Sequence, residues 1–292
     1  METAYIYALG ANLSFAIGIQ FFTHFARNIS SVWVNCFKAA IALICFAITI
    51  YFKGGFNPIE LKYFMLFCAS GFLGLGFADI FLIKSFSMMG PGRTMVLFTF
   101  QPVIVGILSY FLFSQVVTGR KLFAILFMII CLVIFSIETY KTKGHWNVKA
   151  SIFALSGMFL DAMGVLVTRY CFNNSTQITT AEGNFYRVLG AIALFMILSK
   201  VRPFNFIKRL KSLPVKSLMF ITIGALLGTY IALTFYLKAI RIAPTLAVIS
   251  AISITGATFA SILECVVNRK PPSKYLMVSF IFFITGMWFL FF

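Results

Sequence analysis

Apolar runs close to twenty residues long follow one another along nearly the whole chain of 292 residues. That recurrence limits the possible folds more than any single motif does. Coiled as a helix at about 1.5 Å per residue, such a run spans the hydrocarbon core of a bilayer. A water-soluble globule is excluded by composition: 61% of the residues are hydrophobic, 37 are Phe, and only 11% are charged. Too few polar groups remain to cover such a core. In lipid the backbone must satisfy its own hydrogen bonds, and runs without period-two alternation do so as helices and not as barrel strands. The chain is therefore expected to be an all-α integral membrane protein.

Spans are predicted near residues 4–22, 31–52, 61–86, 91–113, 119–139, 148–170, 180–200, 215–240, 244–263 and 273–292, ten transmembrane helices in all. Two of them, 61–86 and 215–240, are long enough to imply tilt. Breakers mark the joints: Gly54-Gly55 with Pro58, Gly90-Pro91-Gly92, Gly119, Gly144, Pro203 with Pro214, Pro244, and Pro271-Pro272. These joints leave no room for a soluble domain. The first span lacks a basic lead and a small-residue cleavage site, so it is expected to stay in the membrane and not to be removed as a signal peptide.

The stretch from Gly71 to Gln115 has an echo from Gly224 to Glu264. At an offset of 154, Gly74 falls on Gly228 and Lys84 on Lys238. Ala8 through Gly18 lies over Ala154 through Gly164 at an offset of 146, and Asn35 and Lys38 lie over Asn184 and Arg187 at an offset of 149. Residues 1–140 and 148–292 thus read as two five-helix repeats within a single membrane domain. Because five is odd, the second is expected to enter the membrane in the opposite sense, as an inverted repeat about an axis in the membrane plane. The competing reading is that apolar helices resemble one another by composition alone. The polar matches follow the same order as the glycine matches, which favours duplication.

These features together resemble the EamA-type branch of the drug/metabolite transporter superfamily: Asn-x-x-[Lys/Arg] early in spans 2 and 7 (Asn35, Lys38; Asn184, Arg187), Gly-rich spans 3 and 8, a Gly/Pro joint into spans 4 and 9, and a polar residue closing those spans (Gln115, Glu264). The chain departs from that pattern where Gln115 stands in place of a frequent Glu and where the loop after Glu264 is lengthened. The resemblance implies a secondary transporter or exchanger of small polar metabolites by alternating access, with a central cavity lined by spans 1 to 4 and 6 to 9. It also implies that spans 5 and 10 are peripheral and suited to homodimer contact, and that the setting is a bacterial inner membrane.

Charge leads to a compatible view. The formal net charge is +17, but in a membrane protein most Lys and Arg sit in connections that face lipid headgroups, so no nucleic-acid partner follows. The seven acidic residues carry more information. Asp79 and Asp161 lie deep in their spans, where an ionised group needs a wet cavity or a partner. They are the foremost substrate-binding candidates, with Lys38 and Arg187 as partners or further contacts; Lys38 could instead snorkel to the interface. Glu182, at the start of a span, suits the helix N-terminus, and Lys84 and Lys238 suit helix C-termini.

Asn12, Trp33, Asn35, Gln101, Tyr186, Tyr230 and Thr234 complete the candidate set as hydrogen-bonding groups and ring faces. Each has a plainer reading: Trp33 in the interfacial belt, the tyrosines bonded to a neighbouring backbone. The glycines of spans 1, 3 and 8 serve close packing by default and bending as the alternative. The six cysteines have no Cys-x-x-Cys spacing and are expected to be free buried thiols, while His24 and His145 make no ligand set; no metal or cofactor is expected.

Basic residues on the side opposite the termini number fifteen against seven on the terminal side. The positive-inside rule then places the termini outside the cytoplasm, whereas the family resemblance implies both ends inside. The rival function classes are a non-transporting membrane scaffold and a membrane-embedded enzyme such as an intramembrane aspartyl protease. For the latter, two aspartates and the run from Gly74 to Asp79 are the relevant features, but Phe77 and Ala78 separate the Gly-x-Gly from the Asp. With no nucleotide-binding loop, transport would draw on a gradient or on exchange. Rings with buried carboxylates suit an amino-acid-like zwitterion or an organic cation such as choline or S-adenosylmethionine, with Asp161 and Asp79 holding the positive group or a coupling proton.

Overall fold

The computed structural model describes residues 2–90, 94–95, 97–143, 147–254, 256, 259, 263, 271 and 273–291. Pro91, Gly92, Arg93, Gly144, His145, Glu264, Cys265, Arg269, Lys270 and Pro272, which figured in the sequence reading, lie outside these. The described chain is helical, with no strand. In order come α1 (Glu2–Asn28), α2 (Ser31–Phe52), α3 (Leu61–Met89), α4 (Gln101–Phe113), α5 (Gly119–Lys143), α6 (Val148–Asn174), α7 (Thr180–Val201), a short connecting helix (Phe206–Ser212), α8 (Val215–Ile242), α9 (Leu246–Ile254) and α10 (Lys274–Phe291). Among the described residues, six of these helices are long and apolar enough to cross a membrane: α1, α2, α3, α6, α7 and α8. The protein is an integral, multi-pass membrane protein.

Helix starts follow local chemistry. Ser30 Oγ accepts from the Trp33 N–H at 3.0 Å to open α2, and Asn147 Oδ1 accepts from the Ala150 N–H at 3.1 Å to open α6. Thr179 and Glu182 form a reciprocal capping box at α7. The Glu182 carboxylate also accepts from the Asn57 N–H at 2.5 Å and from Asn57 Nδ2 at 3.0 Å, tying the α2–α3 connection to this helix end. Where α4 ends, Ser114 turns left-handed (φ 52°), and Gln115 Oε1 accepts from the Leu246 N–H at 3.0 Å, capping α9.

The pairing of helices places the centre of the molecule. α1 packs on α8, α2 on α7, α3 on both α6 and α7, α4 on α9, and α5 on α10. Some of these approaches are backbone to backbone. A Cβ on Gly71 would overlap the Arg187 carbonyl, and one on Gly190 the Cys68 carbonyl, so α3 and α7 meet without intervening side chains. α5 and α10 stand to one side, with Phe127 stacked on Phe289 at 5.5 Å and Gly286 set against the Ala124 carbonyl. Cys36, Cys45, Cys68, Cys131 and Cys171 are free thiols.

Two helices change their winding on the way through. α3 passes through a π segment, Phe72–Ala78, and α8 through another, Leu226–Ile231. A π turn widens the helix and upsets its carbonyl ladder. On each side a buried asparagine meets the disturbed helix. Asn35 Nδ2 donates to the Leu75 and Gly76 carbonyls at 2.9 and 3.1 Å, and Asn184 Nδ2 donates to the Leu233 carbonyl at 3.0 Å.

Candidate functional site

Where these helices converge lies a cavity of about 120 Å³, lined from α1, α2, α3, α4, α6, α7 and α8. Its wall is largely apolar, yet four charged side chains open onto it: Lys38, Asp79, Asp161 and Arg187. Asn12, Gln101, Thr229 and Tyr236 add neutral polar groups. Two cations facing two carboxylates make the cavity formally neutral, which lowers the cost of holding such charges in a low-dielectric bundle.

The four charges are not used alike. Lys38 Nζ donates to Asp79 Oδ2 in a buried ion pair, and it lies 5.3 Å from the centre of the Phe22 ring. Asp79 itself stands where the π segment of α3 returns to α-helix. Asp161 Oδ2 accepts from Gln101 Nε2 at 2.7 Å. Gln101 is placed to do so by the short 3₁₀ turn Phe98–Phe100, which delivers it as the first residue of α4. Arg187 is completely buried, and its Nε and Nη1 have no hydrogen-bond partner among the described residues. The two carboxylates therefore engage Lys38 and Gln101, not each other.

Of the residues singled out in the sequence, Asp79, Asp161, Lys38, Arg187, Gln101 and Asn12 come together at this cavity. Asn12 also reaches across to donate to the Ile252 carbonyl of α9. The remainder are placed elsewhere, each with a local partner. Trp33 is buried between Phe37 and Phe206 and donates its indole N–H to the Phe206 carbonyl at 3.2 Å. Asn35 serves the π segment of α3. Tyr186 packs edge-on to Phe64 at 5.3 Å. Tyr230 shares a 2.7 Å hydrogen bond with Thr49, and Thr234 turns back to the Tyr230 carbonyl at 2.7 Å.

The cavity also takes residues beyond the candidate set, and several of its lining residues stand at the offsets of the sequence echo. From α3 come Leu75, Ala78, Asp79 and Leu82; from α8 come Thr229, Ala232, Leu233 and Tyr236. At the offset of 154, each of the first four falls on one of the second. Phe15 likewise stands at the offset of 146 from Asp161, and both line the cavity. The counterparts of Asp79 and Asp161 at these offsets, Leu233 and Phe15, are apolar. Carrying each carboxylate across the repeat would have found both.

Residues 2–137 match the model of the EamA-like transporter family. The match covers the first half of the chain, a little under half of its residues, and shows a similarity of that half to the family. No curated protein matches it in sequence. A solved crystal structure of another protein, 13% identical, superposes with a TM-score of 0.77 over 100% of this chain and 97% of that one. At that identity the likeness is one of fold. The family matched is one of membrane transporters, and the match covers the helices that supply Asn12, Lys38, Asp79 and Gln101 to the cavity.

Proposed function

We propose that the protein is a secondary transporter or exchanger of a small polar metabolite, an amino-acid-like zwitterion or an organic cation, working by alternating access. The carrying observation is a cavity that holds two cations and two carboxylates in an otherwise apolar bundle, with a lining contributed in matched positions by α3 and α8. A scaffold has no use for buried charge of this cost. An aspartyl protease needs two carboxylates sharing a proton, whereas Asp79 and Asp161 engage different partners.

The two halves, 1–140 and 148–292, are read as inverted repeats of five transmembrane helices each. Contacts between corresponding helices support this reading: α2 with α7, α4 with α9, α5 with α10, and α1 with α8 as α6 with α3. Rocking one half against the other about the central charges would open the cavity to each side in turn. The outer faces of α5 and α10 carry Phe123, Leu126, Ile281 and Ile284; they suit lipid and, in a homodimer, a second copy. A bacterial inner membrane is the proposed setting, with an ion gradient or substrate exchange as the driving force.

Counterflow into proteoliposomes across a panel of amino acids, choline and S-adenosylmethionine tests the proposal. Saturable exchange of one class is the expected result. Sealed vesicles of folded protein that exchange no member of a broad metabolite panel would remove it.

A further inference from the structure

A second cavity, of about 470 Å³, lies between α1 and the first turns of α8, with Leu263 on one wall, and shares no lining residue with the charged centre. Its size is within the usual range of small-molecule pockets, about 300–1,000 Å³. Ile17, Phe21, Phe25 and Phe220 give it apolar walls, to which Gln20, His24 and Ser217 add polar groups. Phe220 stacks on Phe21 at 6.3 Å. Phe220 and His24 are exposed, so the cavity reaches the outer surface of the bundle, which in a membrane is lipid.

Helical spacing carries basic groups onto the same stripes. Arg27 follows Gln20 and His24 by seven and three residues, and Lys216 precedes Phe220 by four. Both are exposed, and among the described residues neither is in an ion pair. α8 opens at Pro214 with no side-chain cap, so its first-turn N–H groups stay available to an anion. The short helix before it adds Lys208, Arg209 and Lys211, while its Phe206 and Leu210 pack with Phe22, Phe25 and Trp33. No Asp or Glu occurs between Glu2 and Glu60 or between Glu182 and Glu264. Beyond Glu2, at the far end of α1, these segments therefore carry no carboxylate to offset the charge.

We propose that this cleft seats an anionic phospholipid, with one acyl chain between α1 and α8 and the head-group phosphate held by Arg27 and Lys216. The occupant follows from the pairing of an apolar cleft open to lipid with a basic rim that no carboxylate neutralises. A hydrocarbon chain fits the first, a phosphate fits the second, and one molecule carries both. A free phosphate would leave the ring-lined cleft empty, and a zwitterionic lipid would bring its ammonium among cations. Position in the membrane agrees. Arg27 and Lys216 lie at the end of the molecule that holds fifteen of the Lys and Arg residues. The positive-inside rule turns that end to the cytoplasm, where the leaflet is anionic. Because α1 belongs to the first half of the chain and α8 to the second, a lipid seated here bridges the halves beside their contact at Gly18 and Gly228. The site is independent of what the central cavity binds.

The test uses the full chain, delipidated in a neutral detergent, and follows its melting temperature as dioleoylphosphatidylglycerol, dioleoylphosphatidylcholine or inorganic phosphate is added. Phosphatidylglycerol is expected to raise the melting temperature saturably. The other two should need at least about tenfold higher concentrations for the same rise, since each basic contact to an anionic head group is worth about fivefold in binding. Arg27→Gln with Lys216→Gln should raise the half-saturating concentration of phosphatidylglycerol at least about tenfold. Lys53→Gln with Lys62→Gln, which removes the same charge from exposed residues at the opposite end, should leave it unchanged. Ser217→Trp, which fills the cleft and keeps both charges, should also weaken the response. Equal stabilisation by phosphatidylcholine or by inorganic phosphate would overturn the site. So would a wild-type response from the Arg27 and Lys216 double variant or from folded Ser217→Trp, or an equal loss in the Lys53 and Lys62 control. If Ser217→Trp does not fold, the comparison of the two charge pairs decides alone.

Discussion

Gly18 of α1 and Gly228 of α8 touch backbone to backbone: a Cβ on Gly228 would lie 2.6 Å from the Gly18 Cα, where no side chain can sit. The contact recurs between the residues that correspond to them. Gly164 of α6 faces Gly74 of α3, and a Cβ on Gly164 would lie 3.2 Å from the Gly74 Cα and 2.9 Å from the Ser70 carbonyl. Two helix pairs, α1 with α8 and α6 with α3, thus meet at glycines that stand at the sequence offsets of 146 and 154, and Gly228 lines the cavity.

Glycine at these crossings is needed for close approach. Gly18→Ala and Gly164→Ala should each destabilise the protein by about 1–3 kcal/mol, the usual cost of overpacking. Gly119→Ala, where a Cβ would find nothing within 4 Å, should not. Thermal melts of the three purified variants in one detergent check this, and equal melting temperatures would contradict it.

Much of the site was legible because charge inside an apolar span is rare and must be accommodated. Asp79, Asp161, Lys38 and Arg187 stood out on that ground alone, and all four line the cavity. Aromatic and hydroxyl residues carry no such signal. Whether Tyr230 or Thr229 faces inward depends on how α8 is rotated, and neighbouring helical residues point about 100° apart. Thr229 lines the cavity while Tyr230 turns to Thr49. The π segments were illegible for a related reason. The glycines within them, Gly74, Gly76 and Gly228, read equally well as ordinary close-packing positions.

Removing one partner of the buried ion pair should be far worse than removing both. Lys38→Met leaves the Asp79 carboxylate without its cation and should cost about 3–5 kcal/mol, whereas adding Asp79→Asn should restore most of that. Unfolding measurements on the two singles and the double give the coupling directly; strict additivity would show that the pair contributes nothing.

Asn35 and Asn184 each stabilise a helix whose carbonyl ladder is interrupted. Asn35→Ala, which removes two hydrogen bonds to α3, and Asn184→Ala, which removes one to α8, should destabilise by about 1 kcal/mol per bond. Faster amide exchange confined to residues 72–78 or 226–231 would accompany the loss. Unchanged exchange there would mean that the π segments hold without them.

Glu182 acts at a distance from the cavity. Glu182→Ala removes the α7 cap together with the bonds to Asn57, and should lower stability by about 2 kcal/mol. Exchange at a permissive temperature should stay at the wild-type level. A selective loss of exchange with stability intact would place Glu182 in the transport cycle instead.

In the proposed transporter the buried carboxylates serve passage through the cavity. Counterflow by the Asp79→Asn, Asp161→Asn double variant, reconstituted at the same density as the wild type and shown to be folded, measures this directly. Loss of at least about 90% of the exchange rate is the expected result, in line with removal of two polar contacts from one binding site. Exchange at the wild-type rate would contradict it.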